Sequence, residues 1–432
     1  MPHPSGIGTP PLPDNRALMP PTPLPSRCDV LVIGAGPAGA ACAQWLARAG
    51  VDVVLVDQHD FPRDKTCGDG LIPDAHHALA RLGVLDEVMA VARKLPALAC
   101  IGPRGGRVDV PGTLAMLPRR ELDDIVCRAA VRAGAKLHTP WRFDAPLLDG
   151  ELVVGARLRQ GDHACDIHAR WVVLATGAAA LPLEVAGMCT RRSPSGIGLR
   201  AYVKNDAMVD RITTLEVVWD KRTAPGYGWI FPAPEGRFNI GVGIGNTEAA
   251  TDGTTAKMKD VNLRRVFDSF CQYYEPAREL MRTGTMEGGL KGAPLRFSLQ
   301  GARFARPGLL VTGEAAGSTY AFTGEGIGKA LETGLMAAEA LLGASDGPVP
   351  AGDAPQVRSV YEARLAALRP RFDLYDRANR INAHPWLADL VIWRARRSPR
   401  LLRRMSGVLE ETSNPGNLVS ARGLFKVFFP GA

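Results

Sequence analysis

The eight cysteines of this 432-residue sequence include no C-x-x-C pair. Zinc sites and redox dithiols depend on that close spacing, so neither is expected, no metal is expected, and scattered thiols suit a reducing compartment. No run of apolar residues approaches the length needed to span a bilayer. The N-terminus also lacks the short apolar core of a secretory signal, and the expectation is a cytoplasmic protein. There is no internal repeat, and low complexity is confined to a proline-rich leader and a Gly/Ala/Pro linker near Gly343 to Pro355. The leader, residues 1 to 27, is poor in large apolar side chains. It cannot bury enough surface to offset its ordering entropy, so disorder is expected there.

What is present is an enzyme-sized globular chain, 46% hydrophobic and 22% charged, with material for two or three domains. Its organising stretch runs from Asp29 to Asp57, DVLVIGAGPAGAACAQWLARAGVDVVLVD. Val30 to Ile33 form the continuous aliphatic run of a strand buried on both faces. Gly34, Gly36 and Gly39 then fit G-x-G-x-x-G directly after that strand and at the opening of a helix. In that context Gly34 permits a tight turn, Gly36 lets the backbone approach a pyrophosphate, and Gly39 lets helix and strand pack closely. The phosphates sit at the helix N-terminus, and Asp57, ending the second strand, accepts from a ribose. The alternative is a glycine turn without a ligand. Strand, glycines, helix, second strand and terminal acid agree on a dinucleotide.

Further along, Arg63 and Lys65 precede a glycine-flanked turn containing Cys67, with a helix from near Pro73. Two readings stand: cations along the cofactor with Cys67 presented to the reacting group, or a solvent loop with a small buried cysteine. If functional, the thiol is expected to be favoured as thiolate by Lys65. Residues 98 to 112 read as a hairpin around Pro103 to Gly106. The helix that follows has Leu122, Ile125, Val126 and Ala129 on one face and Arg119 and Arg120 at its start, where a cation needs a nearby anion unless both are simply solvated. Strand-and-glycine patterns return at RWVVLATGAAA and at Leu309 to Thr312, followed by Gly313, Glu314 and a helix opened by Gly324, Glu325, Gly326 and Ile327. A carboxylate there can hold a sugar-alcohol hydroxyl, and the helix N-terminus can stabilise charge on a ring carbonyl.

Between these returns, residues 196 to 289 alternate and carry aromatics, as an inserted antiparallel sheet does. Tyr227, Trp229 and Phe231 share one face of a strand, lining either a pocket or a core. The expected fold is α/β with an α+β insertion. A Rossmann-like nucleotide domain occupies 28–195 and 290–345, the antiparallel-sheet substrate domain 196–289 and a C-terminal helical cap 346–432. Net charge is +8, and the arginines concentrate in the tail. From Leu387, Arg394, Arg396, Arg397, Arg400, Arg403 and Arg404 interleave with Leu, Val, Ile and Trp393, and Phe425, Phe428 and Phe429 follow. A helical cap closing the substrate cavity is the favoured reading. Peripheral contact with the inner face of a membrane, or with an acidic carrier protein, is the alternative, and no nucleic acid partner is expected.

The motifs GAGPAG with Asp57, KTCGDGL, R-x-x-L-D from Arg119 to Asp123, ATGA, GYGWIFP and GEAAGSTYAFTGEGI together resemble the geranylgeranyl reductase family, within the flavoprotein superfamily of para-hydroxybenzoate hydroxylase and the flavin-dependent halogenases. The resemblance covers roughly Cys28 to Leu342. It implies FAD, with Gly34, Gly36 and Gly39 at the diphosphate, Asp57 at the ribose, Arg119 along the cofactor, and Gly324 to Ile327 at the pyrimidine edge of the isoalloxazine. Cys67 matches a cysteine beside the substrate cavity, and Tyr227, Trp229 and Phe231 match the motif bordering it. Glu314 stands where the family usually has Asp, and Ala233 where a lysine often follows F-P. The glycines of GVGIG, Gly241 to Gly245, have the wrong spacing for a second fingerprint. NAD(P)H docked transiently, or a separate reductase, is therefore the expected electron donor. The implied activity is FAD-dependent reduction of C=C bonds in a hydrophobic prenyl or polyene-like substrate, with Cys67 or water giving the proton. The alternatives are a monooxygenase acting on an aromatic or carrier-bound substrate, and a flavin-bearing interaction protein without turnover. A halogenase is disfavoured because that branch prefers W-x-W-x-I-P.

Overall fold

The strand Arg27–Ile33 anchors the first sheet. Its aliphatic run is buried because parallel neighbours flank it on both sides, Val53–Val56 and His163–Leu174, with Val30 opposite both Val53 and Trp171. Each such side chain removed from water contributes about 1.5–3 kcal/mol. The sheet order is Ala305–Arg306, Leu309–Val311, His163–Leu174, Arg27–Ile33, Val53–Val56, Lys136–His138, with the hairpin Arg142–Asp149 and Leu152–Gln160 extending antiparallel from His163–Leu174. Helix Pro37–Arg48, rich in alanine and almost wholly buried, packs against helices Arg119–Arg132 and Ile327–Leu342. This is a Rossmann-like α/β unit. The computed structural model describes residues 24–245, 261–343 and 349–413. Residues 1–23 of the expected leader, part of the linker, and the tail with Phe425, Phe428 and Phe429 lie outside the described residues.

The second sheet differs from the expected insertion in membership and in direction. Its eight strands run Thr285–Leu295, Gly196–Lys204, Arg237–Gly245, Gly226–Pro232, Leu215–Val218, Arg93–Ile101, Arg107–Met116, Gly70–Leu71. Three of them come from before residue 196, and Thr285–Leu295 runs past 289. The hairpin expected around Pro103 to Gly106 is present, but it belongs to this sheet. Nor is the sheet wholly antiparallel: Leu215–Val218 lies parallel to Arg93–Ile101, with Leu215 opposite Leu98. The chain leaves after Met116, completes much of the nucleotide unit and returns in the same direction, which a parallel neighbour requires. Two helices not foreseen in the sequence, Leu263–Tyr273 and Glu275–Thr283, cover one face of the sheet through Phe267, Phe270 and Leu280.

The C-terminal region is helical, with Pro355–Ala378, Arg380–Ala383, Trp386–Ala395 and Pro399–Leu409. The last two pack on strands Arg93–Ile101 and Arg107–Met116. A buried hydrogen bond pins this cap to the sheet: Trp219 Nε1 donates to Asn382 Oδ1 at 2.8 Å, and Asn382 Nδ2 donates to the Phe322 carbonyl at 2.9 Å. Among the described residues, no helix is long and apolar enough to cross a membrane.

Candidate active site

The three fingerprint glycines answer to different constraints. Gly34 has φ +102°, and a Cβ there would lie 2.3 Å from the Ala175 carbonyl oxygen. A Cβ on Gly39 would lie 1.8 Å from the Gly34 carbonyl oxygen, so close packing of helix on strand demands glycine. Gly36 differs. Its φ is −71°, and its Cβ would meet nothing nearer than Arg63 Nη2 at 3.5 Å and Arg119 Nη2 at 4.0 Å. The chain itself does not need glycine there, so the space is kept for something else. No side chain caps the helix whose N-cap is Gly36, leaving N–H groups and the positive dipole end to an anion.

Charge around that space is arranged for the same purpose. Asp123 is fully buried and receives Arg119 through Nε at 2.6 Å and Nη2 at 2.8 Å, and Arg63 Nη1 at 3.0 Å. Asp123 thus holds both guanidinium groups, with Asp57 as a second, longer partner of Arg63, and a diphosphate beside Gly36 would meet the Nη2 ends of Arg63 and Arg119 that face that space. Asp57 accepts from the Ala35 N–H at 2.9 Å and the His59 N–H at 3.0 Å, and Arg63 Nε lies 3.7 Å away. A carboxylate keeps lone pairs beyond two such bonds, so a ribose hydroxyl can still be held. Glu314 Oε1 is buried without a hydrogen-bond partner. Such an orphan acceptor fits a polyhydroxyl chain, the part FAD would present. Arg119, placed by sequence at an unfavourable helix start, has its anion in Asp123 four residues on.

One cavity of about 860 Å³ runs from this turn past the second sheet to the cap. Gly34, Gly36, Asp57, Arg63, Lys65 and Arg119 line one end; Glu314, Gly324, Gly326 and Ile327 lie along it; Cys67, Tyr227, Trp229 and Phe231 form its wall beyond. Gly39 and Gly313 do not line it: Gly39 packs helix on strand, and Gly313 donates its N–H to Thr333 Oγ1 at 3.1 Å.

The turn bearing Cys67 is held by a polar network within an apolar wall. Trp229 Nε1 donates to Asn239 Oδ1 at 2.9 Å. Asn239 Nδ2 in turn donates to the Cys67 carbonyl at 2.7 Å and to Asp69 Oδ2 at 2.8 Å, and the Tyr202 hydroxyl also donates to Asp69. Tyr227 donates its hydroxyl to the Thr323 carbonyl, joining this strand to the loop before helix Ile327–Leu342. All three aromatics line the pocket, and Trp229, through Asn239, also braces the turn. The thiolate expectation is overturned. Burial, and next the Asp69 carboxyl, push the Cys67 thiol up from its ordinary pKa, outweighing the cations. Lys65 Nζ instead donates to the Thr66 carbonyl at 3.2 Å. Burial also raises Asp69 to about 6 and holds Glu325 well above the carboxylate range, with Asp74 adding to the effect on Glu325.

Comparison with known proteins agrees with this geometry. The profile of an FAD binding domain matches residues 27–219. Menaquinone reductase of Mycolicibacterium smegmatis is 34% identical over 339 residues, covering 73% of this chain and 76% of the relative. Digeranylgeranylglycerophospholipid reductase 2 of Methanopyrus kandleri is 29% identical, over 72% of this chain and 76% of its own length. The chain belongs to the geranylgeranyl reductase family. It is an FAD-dependent oxidoreductase. Among solved structures, a geranylgeranyl bacteriochlorophyll reductase-like protein of Thermoplasma acidophilum superposes with TM-score 0.68 at 21% identity, over 94% of this chain and 97% of that one. A flavin-dependent brominase reaches 0.67 at 19% identity, over 94% and 100%, which shows a shared fold.

Asp123, Asn239 and Asp69 escaped the sequence reading as site residues, and Glu325 entered it only within the stretch Gly324 to Ile327. For Asp123 a signal existed, since it stands four residues after Arg119 on one helix. Asn239 is a lone amide in a strand, Arg237–Gly245, that is apolar from Phe238 onward apart from it, a polar residue that burial alone does not explain.

Proposed function

We propose that the protein reduces C=C bonds of a hydrophobic, prenyl- or polyene-like substrate. The observation that carries this reading is the far half of the cavity. Its wall is Leu98, Cys100, Val110 and Leu114 from the sheet, with Val391, Ile392, Met405 and Leu409 from the cap. Such a wall suits a long apolar chain and gives a charged substrate no partner. The names of the relatives, reductases of a menaquinone and of a digeranylgeranylglycerophospholipid, support the same class. FAD, when bound and reduced by NAD(P)H or a separate reductase, would supply a hydride, the electron pair together with the hydrogen of the first carbon. Saturating the bond also consumes a proton at the second carbon. Cys67 Sγ, kept as a thiol by burial, holds one at the wall of the cavity. Asn239 and Trp229 orient the Cys67 turn, and the aromatic strand with the cap excludes water.

The test is anaerobic. Protein with reduced flavin is mixed with prenyl or polyene compounds, and flavin absorbance is followed. Reoxidation without oxygen, with a saturated product, upholds the reading. A strict requirement for oxygen transfers the protein to the monooxygenase alternative.

A further inference from the structure

Among the described residues, only two aromatic side chains are exposed, Trp386 at 61% and Trp393 at 46%, and both lie on helix Trp386–Ala395. They are seven residues apart and therefore share a face. The opposite face of that helix, with Ala388, Val391 and Ile392, lines the cavity, as do Met405, Val408 and Leu409 of helix Pro399–Leu409. The outer sides of both helices consequently turn away from the same cavity. Arg397, Arg400, Arg403 and Arg404 are exposed there, and the Arg397 guanidinium lies 4.8 Å over the Trp393 ring. The one acidic residue between Trp386 and Leu409 is Asp389. It is occupied by Arg104, accepting from its backbone N–H at 3.1 Å and lying 3.8 Å from its guanidinium. The outer face thus carries two indoles and four exposed arginines, with Asp389 engaged by Arg104 and the exposed Glu410 lying just past the end of the second helix.

We infer that this outer face of the cap docks on an anionic lipid bilayer, with Trp386 and Trp393 at headgroup depth and the arginines on lipid phosphates. Exposed tryptophans favour that interface because one ring edge is polar and the body is apolar. Each arginine near an anionic surface adds attraction that salt screens. The inference rests on the proposed lipid-like substrate for its purpose: the helices that touch the membrane are the wall of the cavity, so a lipid need not cross water to reach it.

The experiment uses the full FAD-loaded chain and contains no substrate, so its failure and that of the reductase reading are separable. Phosphatidylglycerol vesicles and phosphatidylcholine vesicles carrying a brominated acyl chain are titrated while tryptophan emission and co-sedimentation are followed. The expected result is binding to the anionic vesicles, weakened by salt, with quenching lost in Trp386→Ala/Trp393→Ala. Partition should fall at least roughly tenfold in Arg403→Glu/Arg404→Glu. Both variants alter exposed positions and should keep flavin content and melting temperature. Equal partition on both lipids, no binding, or anionic binding that survives both variants overturns the inference. So does capture by an acidic protein without vesicle binding.

Discussion

Replacing Gly36 by valine separates what the fold needs from what the cofactor needs. A Cβ at this position meets only the tips of two flexible guanidinium groups, at 3.5 and 4.0 Å, and φ of −71° suits any residue. The apo-protein should therefore fold with a melting temperature within a few degrees of the parent. FAD is another matter, because the valine occupies the diphosphate path and denies it the helix N-terminus. Losing two charge-assisted hydrogen bonds at about 1.5–3 kcal/mol each amounts to ~3–6 kcal/mol. At about 1.4 kcal/mol per decade, affinity should fall by roughly 100- to 10,000-fold. Titration of apo-protein with FAD, read by quenching of flavin fluorescence, measures this, and thermal melts run beside it. Gly39→Ala is the contrast, since its Cβ would lie 1.8 Å from a carbonyl oxygen and should damage the fold itself. Full flavin occupancy in Gly36→Val would refute the assignment, and an unfolded apo-variant would refute the claim that the space belongs to the ligand.

Asp123→Asn should destabilise the apo-protein by about 3–5 kcal/mol, because buried Arg119 loses its carboxylate and half-buried Arg63 loses one of its two, and FAD should restore part of that; equal loss with and without FAD in denaturant melts would count against a diphosphate at Arg63 and Arg119. Cys67→Ser should leave flavin content intact and lower the rate of anaerobic reoxidation by the C=C substrate, since a hydroxyl is a poorer acid; unchanged turnover would make the thiol a filler. Asp74 is raised by burial to about 7, with Lys329 Nζ 3.8 Å away and Glu411 and Glu332 sharing that ammonium. Its neutral form contributes stability that is fully present below about pH 4, the unfolded value, and lost as pH rises to about 7. Asp74→Asn should therefore flatten the fall of melting temperature between those limits and gain on the parent above pH 7; parallel curves would refute this.

The nucleotide half was legible because its signals are local. An aliphatic run, a glycine turn and an amphipathic helix sit within one short stretch, and the resulting strand Arg27–Ile33 pairs as that pattern requires. The second sheet was harder. Nothing in Leu98 or Leu215 reveals that they face each other, since pairing across a long excursion leaves no local trace. Helices Leu263–Tyr273 and Glu275–Thr283 were hidden by the alternating strands on either side, although Asn262 caps the first of them by accepting from the Arg265 N–H. In the site, the residues singled out line one cavity except Gly39 and Gly313, whereas protonation state was not legible. Lys65 close in sequence to Cys67 suggested a thiolate, whereas burial is a property of the assembled wall and proved the larger effect.

The parallel pairing of Leu215–Val218 with Arg93–Ile101 also bears on how the chain is made. At synthesis rates of about 5–20 residues per second, strand Arg93–Ile101 leaves the ribosome roughly 6–23 s before its neighbour exists. Through that interval Leu95, Cys100, Val110 and Leu114, which end as core and cavity wall, lack the neighbouring strand Leu215–Val218 and the C-terminal cap, and have the hairpin and the short strand Gly70–Leu71 beside them. Truncated nascent chains that stop short of Leu215 should therefore be bound by hydrophobic-segment chaperones, and release should coincide with translation of the strands up to Leu295. The segment that ends as the cavity's apolar wall is therefore, during synthesis, an apolar stretch waiting for its cover.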